Sequence, residues 1–185
     1  MKRVTHVAHD LIRSVVKPGD VVIDATAGNG HDTLFLTSVV GKEGRVHAFD
    51  VQYEALLSTR ERLAVQNATG PVSYHLASHA RLARHVSSAS AVMFNLGYLP
   101  GTDQVTITQT DSTVEALQQA AEVLTPGGII TCICYPGHPG GLEEAEAVLD
   151  WARIHAEFSK VTLPDEKDRL EGRPFLVSFE NRPAD

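Results

Sequence analysis

Apolar positions along the chain recur with two different periods. Val7, Leu11, Ile12, Val15 and Val16 fall at helical spacing, and Lys17-Pro18-Gly19-Asp20 then supplies a stop. Val21-Val22-Ile23-Asp24-Ala25 is a short unbroken apolar run, predicted as a buried parallel strand. A glycine-containing turn and a helix near 32–40 follow. Arg45-Val46-His47-Ala48-Phe49 is a second strand closed by Asp50, and Leu56, Leu57, Arg60, Leu63 and Ala64 mark the next helix. Val72-Ser73-Tyr74-His75-Leu76 is a third, weaker strand and Ala91-Val92-Met93-Phe94-Asn95 a fourth.

Further along, Ser112-x-x-Glu115 fits a capping box, with Val114, Leu117, Ala121 and Leu124 as the apolar stripe behind it. Pro126-Gly127-Gly128 reads as a turn into the strongest strand, Ile129 to Tyr135, and a helix is predicted over about 142–157. Strands near 160–163 and 175–179 close the chain. Alternating strands and helices predict an α/β fold, an open and mostly parallel sheet with helices on both faces. Its ligand belongs beyond the carboxyl ends of the strands, at the topological switch point.

The 185 residues suit a single domain spanning 1–185. With 43% hydrophobic and 21% charged residues, the balance is that of a folded domain and excludes disorder. No apolar stretch reaches the ~20 residues needed to cross a bilayer, and Met1 to His6 lead into an amphipathic segment without a signal-peptide core. Cys132 and Cys134 stand two apart in an apolar run, where adjacent same-face thiols rarely form a stable bridge, so a reduced, cytoplasmic setting is expected.

The net charge of −7 speaks against non-specific coating of nucleic acid. Residues 85–152 carry no Lys or Arg, which confines any polyanion contact to the N-terminal half or the C-terminal basic residues.

The chemistry concentrates in Asp24-Ala25-Thr26-Ala27-Gly28-Asn29-Gly30-His31-Asp32-Thr33, placed between the first strand and its helix. Gly28 and Gly30 permit a tight turn and close approach of a ligand. A nicotinamide fingerprint requires Gly or Ala where Thr33 stands, and a carboxylate at Asp24 repels a pyrophosphate but suits an ammonium or sulfonium. No P-loop pattern is present. Asp50 ends the second strand, where a carboxylate accepts both hydroxyls of a ribose, and Gln52 lies on the same edge. These features together predict a pocket for S-adenosylmethionine formed by Asp24, Thr26, Gly28, Asn29, Gly30, His31, Asp32, Thr33, Asp50 and Gln52. Ser78-His79, after the third strand, falls near the adenine.

Two loops add polar groups on the same sheet edge. Asn95, followed by Gly97 and Tyr98, presents an acceptor and a ring at the mouth of the pocket, and Asn95 counts with the cofactor residues as well. Tyr135-Pro136-Gly137-His138-Pro139-Gly140-Gly141 follows the fifth strand. Each has a plain alternative as an ordinary turn. His6 and His9 lack the further ligands a metal site needs, so no metal is expected. Glu143, Glu144, Glu146 and Asp150 read as a solvated helix face.

Taken together, Thr5–His9, Val22–Leu36, Phe49–Asp50, Ser78-His79, Asn95–Gly101, Asp111–Thr113, Gly127-Gly128 and Tyr135–Glu144 resemble the MnmM family of methyltransferases, earlier labelled rRNA methylases. The resemblance covers about residues 5–181. It implies a class I methyltransferase (Rossmann-like) fold with seven strands, the last antiparallel. It also implies methyl transfer from S-adenosylmethionine to the amino nitrogen of a 5-aminomethyluridine, often 2-thiolated, at the tRNA wobble position, and a homodimer. On that reading the tRNA anticodon stem-loop is the substrate and Asn95, Tyr98, Tyr135 and His138 are the candidates for chemistry. The acidic stretch 85–152 departs from what a tRNA backbone would favour. Other readings are an rRNA or small-molecule methyltransferase with the same cofactor site, a non-catalytic nucleotide-binding module, and an NAD-dependent dehydrogenase, which Asp24 and Thr33 disfavour.

Overall fold

The computed structural model describes residues 3–68, 70–97, 110–155, 158, 160–164 and 171–183. In chain order the elements are α1 (Val4–Val15), β1 (Val21–Asp24), α2 (His31–Val40), β2 (Arg45–Asp50), α3 (Tyr53–Val65), β3 (Val72–Leu76), a 3-10 helix (His79–Arg84), β4 (Ala89–Asn95), α4 (Thr110–Val123), β5 (Leu124–Cys134), α5 (Gly141–Ile154), β6 (Lys160–Thr162) and β7 (Phe175–Glu180). The strands form one sheet in the order β3-β2-β1-β4-β5-β7-β6. Pairings among β1 to β5 are parallel, and β7 runs antiparallel to both β5 and β6.

The apolar runs behave as their composition dictates. Parallel strands covered on both faces cannot alternate, and in β1 Val22, Ile23 and Asp24 are all buried. On one face, Ala8, Ile12 and Val16 of the α1 segment pack with Phe35, Leu36 and Val40 of α2 over Val22, Val46, Met93 and Ile129. On the other, the 3-10 helix, α4 and α5 cover Ile23, Phe49, Val92, Phe94 and Ile130. Cys132 and Cys134 are buried free thiols, as expected. Among the described residues no helix is long and apolar enough to cross a membrane.

The strand order reverses between β1 and β4. From β1 the chain moves outward through β2 to β3, then returns to place β4 on the other side of β1. The crevice beyond this switch point receives the ends of β1 and β4, where Ala25 donates its backbone N–H to Met93 at 2.9 Å.

Three local expectations are corrected. α4 already includes Thr110 and Asp111, so Ser112 lies inside the helix and not at its N-cap. Pro126-Gly127-Gly128 is not a turn before β5 but an irregularity within it. Leu124 pairs with Ala89 and Ile129 with Ala91, so the extra residues bulge out while the strand continues. Glu144, placed by its neighbours on a solvated face, is only 2% exposed. It accepts a hydrogen bond from Thr113, which compensates its burial.

Candidate active site

Asp24 ends β1 fully buried. The Thr26 amide donates to its Oδ1 at 3.1 Å and Thr33 Oγ1 donates to its Oδ2 at 2.6 Å. Thr33, the residue that spoils a dinucleotide fingerprint, therefore has a positive role in holding this carboxyl group. Burial, reinforced by the charge of Asp32, pushes Asp24 up to about 7.

Between these two residues the chain turns through Gly28 (φ +49°) and Gly30 (φ +77°). A Cβ at Gly30 would lie 2.7 Å from Thr59 Cα, so only glycine lets the loop sit this close to α3. Helix α3 grips the loop further: Thr59 Oγ1 donates to the Gly28 carbonyl at 3.0 Å and Arg62 Nε to that of Asn29. Asn29 is half-buried and His31, the first residue of α2, is exposed.

Asp50 ties β2 to the same loop. Its Oδ2 accepts from the Gly28 amide and its Oδ1 from the Gln52 amide, both at 2.9 Å. Each carboxylate oxygen carries a second lone pair, so the half-buried group retains capacity for further donors. Ser78 accepts the Ala80 amide at 3.2 Å and caps the 3-10 helix. His79 is buried, with Nδ1 3.2 Å from the Ala25 carbonyl, so this ring nitrogen donates. Burial holds its pKa below the usual histidine range and the ring stays neutral. These two residues shape the wall beneath the loop.

At the end of β4 the Asn95 amide N–H donates to Thr26 Oγ1 at 2.8 Å, and its side-chain Nδ2 donates to Asp32 Oδ2 at 3.0 Å. His9 Nε2 lies 2.7 Å from the other oxygen, Asp32 Oδ1. Gly97 (φ +137°) brings the chain beside the loop after β5. A Cβ there would lie 3.7 Å from His138 Nε2 and 3.8 Å from Tyr135 Cδ2. His138 Nδ1 is 3.0 Å from the Pro139 carbonyl. Burial and then the charge of Asp32 raise the pKa of Tyr135, which keeps its phenol protonated.

Asn95, Tyr135 and His138 thus gather on one edge of the sheet with the glycine loop, while Tyr98 lies outside the described residues. No group of three or more His, Cys, Asp or Glu that would hold a metal occurs among the described residues. Thr59, Arg62 and His9 were not read as site residues from sequence. Thr59 interrupts the buried Leu56–Leu63 stripe of α3 with a polar group, and His9 directly follows buried Ala8 on α1. Both were visible signals.

The residues fit a cationic nucleoside. The Asp50 carboxylate beside the glycine loop retains acceptor capacity for polar donors, and the carboxyl groups of Asp24 and Asp32 favour positive charge.

Comparison with known proteins places this geometry in context. Residues 46–180 match the family model described as "Putative rRNA methylase". A crystal structure of a protein from Clostridium thermocellum, described as a "putative rRNA-methylase", superposes with a TM-score of 0.91 at 39% identity, covering 97% of this chain and 98% of that one. A Streptococcus mutans protein, described as a "putative methyltransferase" and solved in complex with SAH, gives a TM-score of 0.85 at 34% identity, covering 97% and 98%. An Arabidopsis thaliana protein named tRNA (mnm5s2U34)-methyltransferase, chloroplastic, is 41% identical over 160 residues, which is 80% of this chain but 58% of that relative's length. The architecture is that of the class I methyltransferases. With most of its length matched by the family model, the chain belongs to this rRNA methylase family.

Proposed function

We propose that this chain is an S-adenosylmethionine-dependent methyltransferase. Its substrate is 5-aminomethyluridine, with or without 2-thiolation, at the tRNA wobble position, and its product is the 5-methylaminomethyl form. The observation that carries the reading is the placement of Asn95 and Asp32 beside the glycine loop at the β1–β4 switch point, where a polar amide meets a site suited to a cationic nucleoside. The Arabidopsis relative's name supports the substrate class, and the Streptococcus mutans complex supports the cofactor.

The cofactor, when bound, supplies an electrophilic methyl group on a sulfonium. Asp50 and Gln52 hold its ribose edge, Gly28 to Asp32 its methionine side, and Asp24 contributes negative charge. Asn95 Oδ1 accepts an N–H of the acceptor amine and points the nitrogen lone pair along the line of displacement, which is mainly positioning work. Tyr135, held neutral, offers its ring face to the uracil and the passing positive charge, so it does not act as a base. Because His138 Nδ1 faces a carbonyl it carries the proton, leaving Nε2 as the acceptor for the proton the methylated amine releases. The enzyme works as a homodimer in a reducing cytoplasm, a setting consistent with two buried thiols 4.0 Å apart.

A second reading, base methylation of rRNA, is favoured by the family description. Mass spectrometry of wobble uridines in tRNA from cells lacking this protein separates the two. Accumulation of the aminomethyl form supports the proposal. Normal 5-methylaminomethyluridine together with a missing rRNA methyl group would replace it.

A further inference from the structure

His9 has no part in the cofactor pocket described above, yet it is joined to the site by a short polar chain. It sits on α1, one residue beyond buried Ala8, and its ring lies flat on Phe35 of α2, with centroids 3.7 Å apart and an interplanar angle of 5°. This stack fixes the ring plane. In that plane Nε2 meets Asp32 Oδ1 at 2.7 Å, while Asp32 Oδ2 receives Asn95 Nδ2 at 3.0 Å. An ionised carboxylate only accepts, so both His9 and Asn95 are donors here.

The consequence falls on Asn95. A primary amide has two faces of opposite character, and a half-turn about its last torsion exchanges acceptor for donor. With Nδ2 committed to Asp32, the oxygen is the end left over, and among the described residues nothing donates to Asn95 Oδ1. An acceptor amine has N–H groups to give, so the oxygen must face it, whereas an NH2 in its place would donate to the nitrogen lone pair and tie up the nucleophile. Asp32 can enforce this choice only if its carboxylate is itself held. Its place in the first turn of α2 favours the charge but does not fix the rotation. His9 on the second oxygen supplies that restraint.

We infer that His9 is a positioning residue for methyl transfer, which acts through Asp32 to fix the end of the Asn95 amide that faces the acceptor amine. The inference rests on the proposed role of Asn95 with an amine substrate.

Two variants separate the hydrogen bond from the stack. His9→Phe keeps a ring on Phe35 and loses the donor. His9→Gln loses the ring and places an N–H donor near the position of Nε2. The expected result for His9→Phe is a fall in kcat of at least about tenfold on aminomethylated tRNA. KM for tRNA and cofactor affinity by calorimetry should stay within about twofold. His9→Gln should recover most of kcat. Combining His9→Phe with Asn95→Ala should add nothing to Asn95→Ala alone, since both act on one group.

Nitrogen-15 NMR of the cofactor-free protein gives a readout without turnover. The Asn95 side-chain NH2 should exchange slowly with solvent in wild type and His9→Gln, and faster in His9→Phe. Equal kcat for wild type and His9→Phe, a His9→Gln variant worse than His9→Phe, or additive losses would overturn the inference while leaving the substrate reading intact. A wild-type enzyme inactive on aminomethylated tRNA would overturn both.

Discussion

Thr113 Oγ1 donates to Glu144 Oε1 at 2.6 Å with both residues buried, joining the first turn of α4 to the first turn of α5. A carboxyl group so placed benefits from the positive ends of both helices. Thr113→Val keeps the shape and removes this donor. It is expected to lower stability by about 1–3 kcal/mol, the range for a hydrogen bond to a buried carboxyl group, read from urea denaturation. A midpoint equal to wild type would mean that other groups hold Glu144 without Thr113.

Asp24 should give the protein a pH signature. Its folded value of about 7 stands above the ordinary 3.8, so its contribution to stability is complete below 3.8 and is lost as pH rises through about 7. The cofactor-free protein is expected to weaken between about pH 4 and 7, and Asp24→Asn, which cannot ionise, to flatten that part of the profile. A cationic ligand has the opposite preference and binds the carboxylate form. Affinity for S-adenosylmethionine should therefore rise over the same window, by up to about tenfold per pH unit below the folded value. Calorimetry at pH 6 and pH 8 checks this, and a flat profile in both assays would separate Asp24 from the ligand's charge.

Gly30 and Gly41 both have a positive φ, but Gly30 is left-handed (ψ 17°) and Gly41 extended (ψ −163°), and their surroundings differ. A Cβ at Gly41 (φ +67°) meets nothing within 4 Å, whereas at Gly30 (φ +77°) it meets Thr59 Cα at 2.7 Å. Gly41→Ala is expected to cost backbone strain alone, about 1–3 kcal/mol, because its φ/ψ combination is one that side chains other than glycine rarely adopt. Gly30→Ala should cost more, because backbone must move, and should also weaken cofactor binding. Thermal and urea unfolding of the two variants side by side gives the comparison, and equal losses would show that the loop can shift away from α3.

Asp50→Asn replaces one acceptor oxygen by a donor at the ribose edge and disturbs the bonds to Gly28 and Gln52. Cofactor affinity should fall by about 1.5–3 kcal/mol, the value of hydrogen bonds to a charged acceptor. Calorimetry on protein with a wild-type circular dichroism spectrum measures it. Unchanged affinity would place the ribose away from β2.

The legible parts of this chain are those where one periodicity reports one environment. β1, β2 and β7 were readable within one residue at either end, because runs of β-branched and apolar side chains are selected by burial in the sheet. Val72–Leu76, an edge strand with no buried residue, was readable to the residue from its β-forming composition. The irregular part of β5 was not, since Pro126-Gly127-Gly128 has the composition of a turn and is carried within the strand only because Leu124 and Ile129 on either side pair with Ala89 and Ala91. Nor was Glu144, whose acidic neighbours announce solvent. Its burial depends on Thr113, far away in sequence and brought near by packing of α4 on α5. The 3-10 helix at His79–Arg84 has too short a period for a hydrophobic stripe to reveal it.

By itself, then, the sequence determined the fold class, the glycine loop after the first strand and the acids at two strand ends, because these follow from local turning requirements and from where apolar runs stop. Tertiary structure alone decided the pairings that turn those residues into a site. Asp32 sits next to His31 and Thr33 in the chain, but its functional neighbours are His9 from α1 and Asn95 from β4. The pKa of Asp24 is likewise raised by burial and then by Asp32, which together outweigh the bonds from Thr33 and Thr26. Such contacts come from the reversal of strand order between β1 and β4 and from α1 docking on the sheet. Hydrophobic burial drives both, and it is blind to the polar groups it brings together.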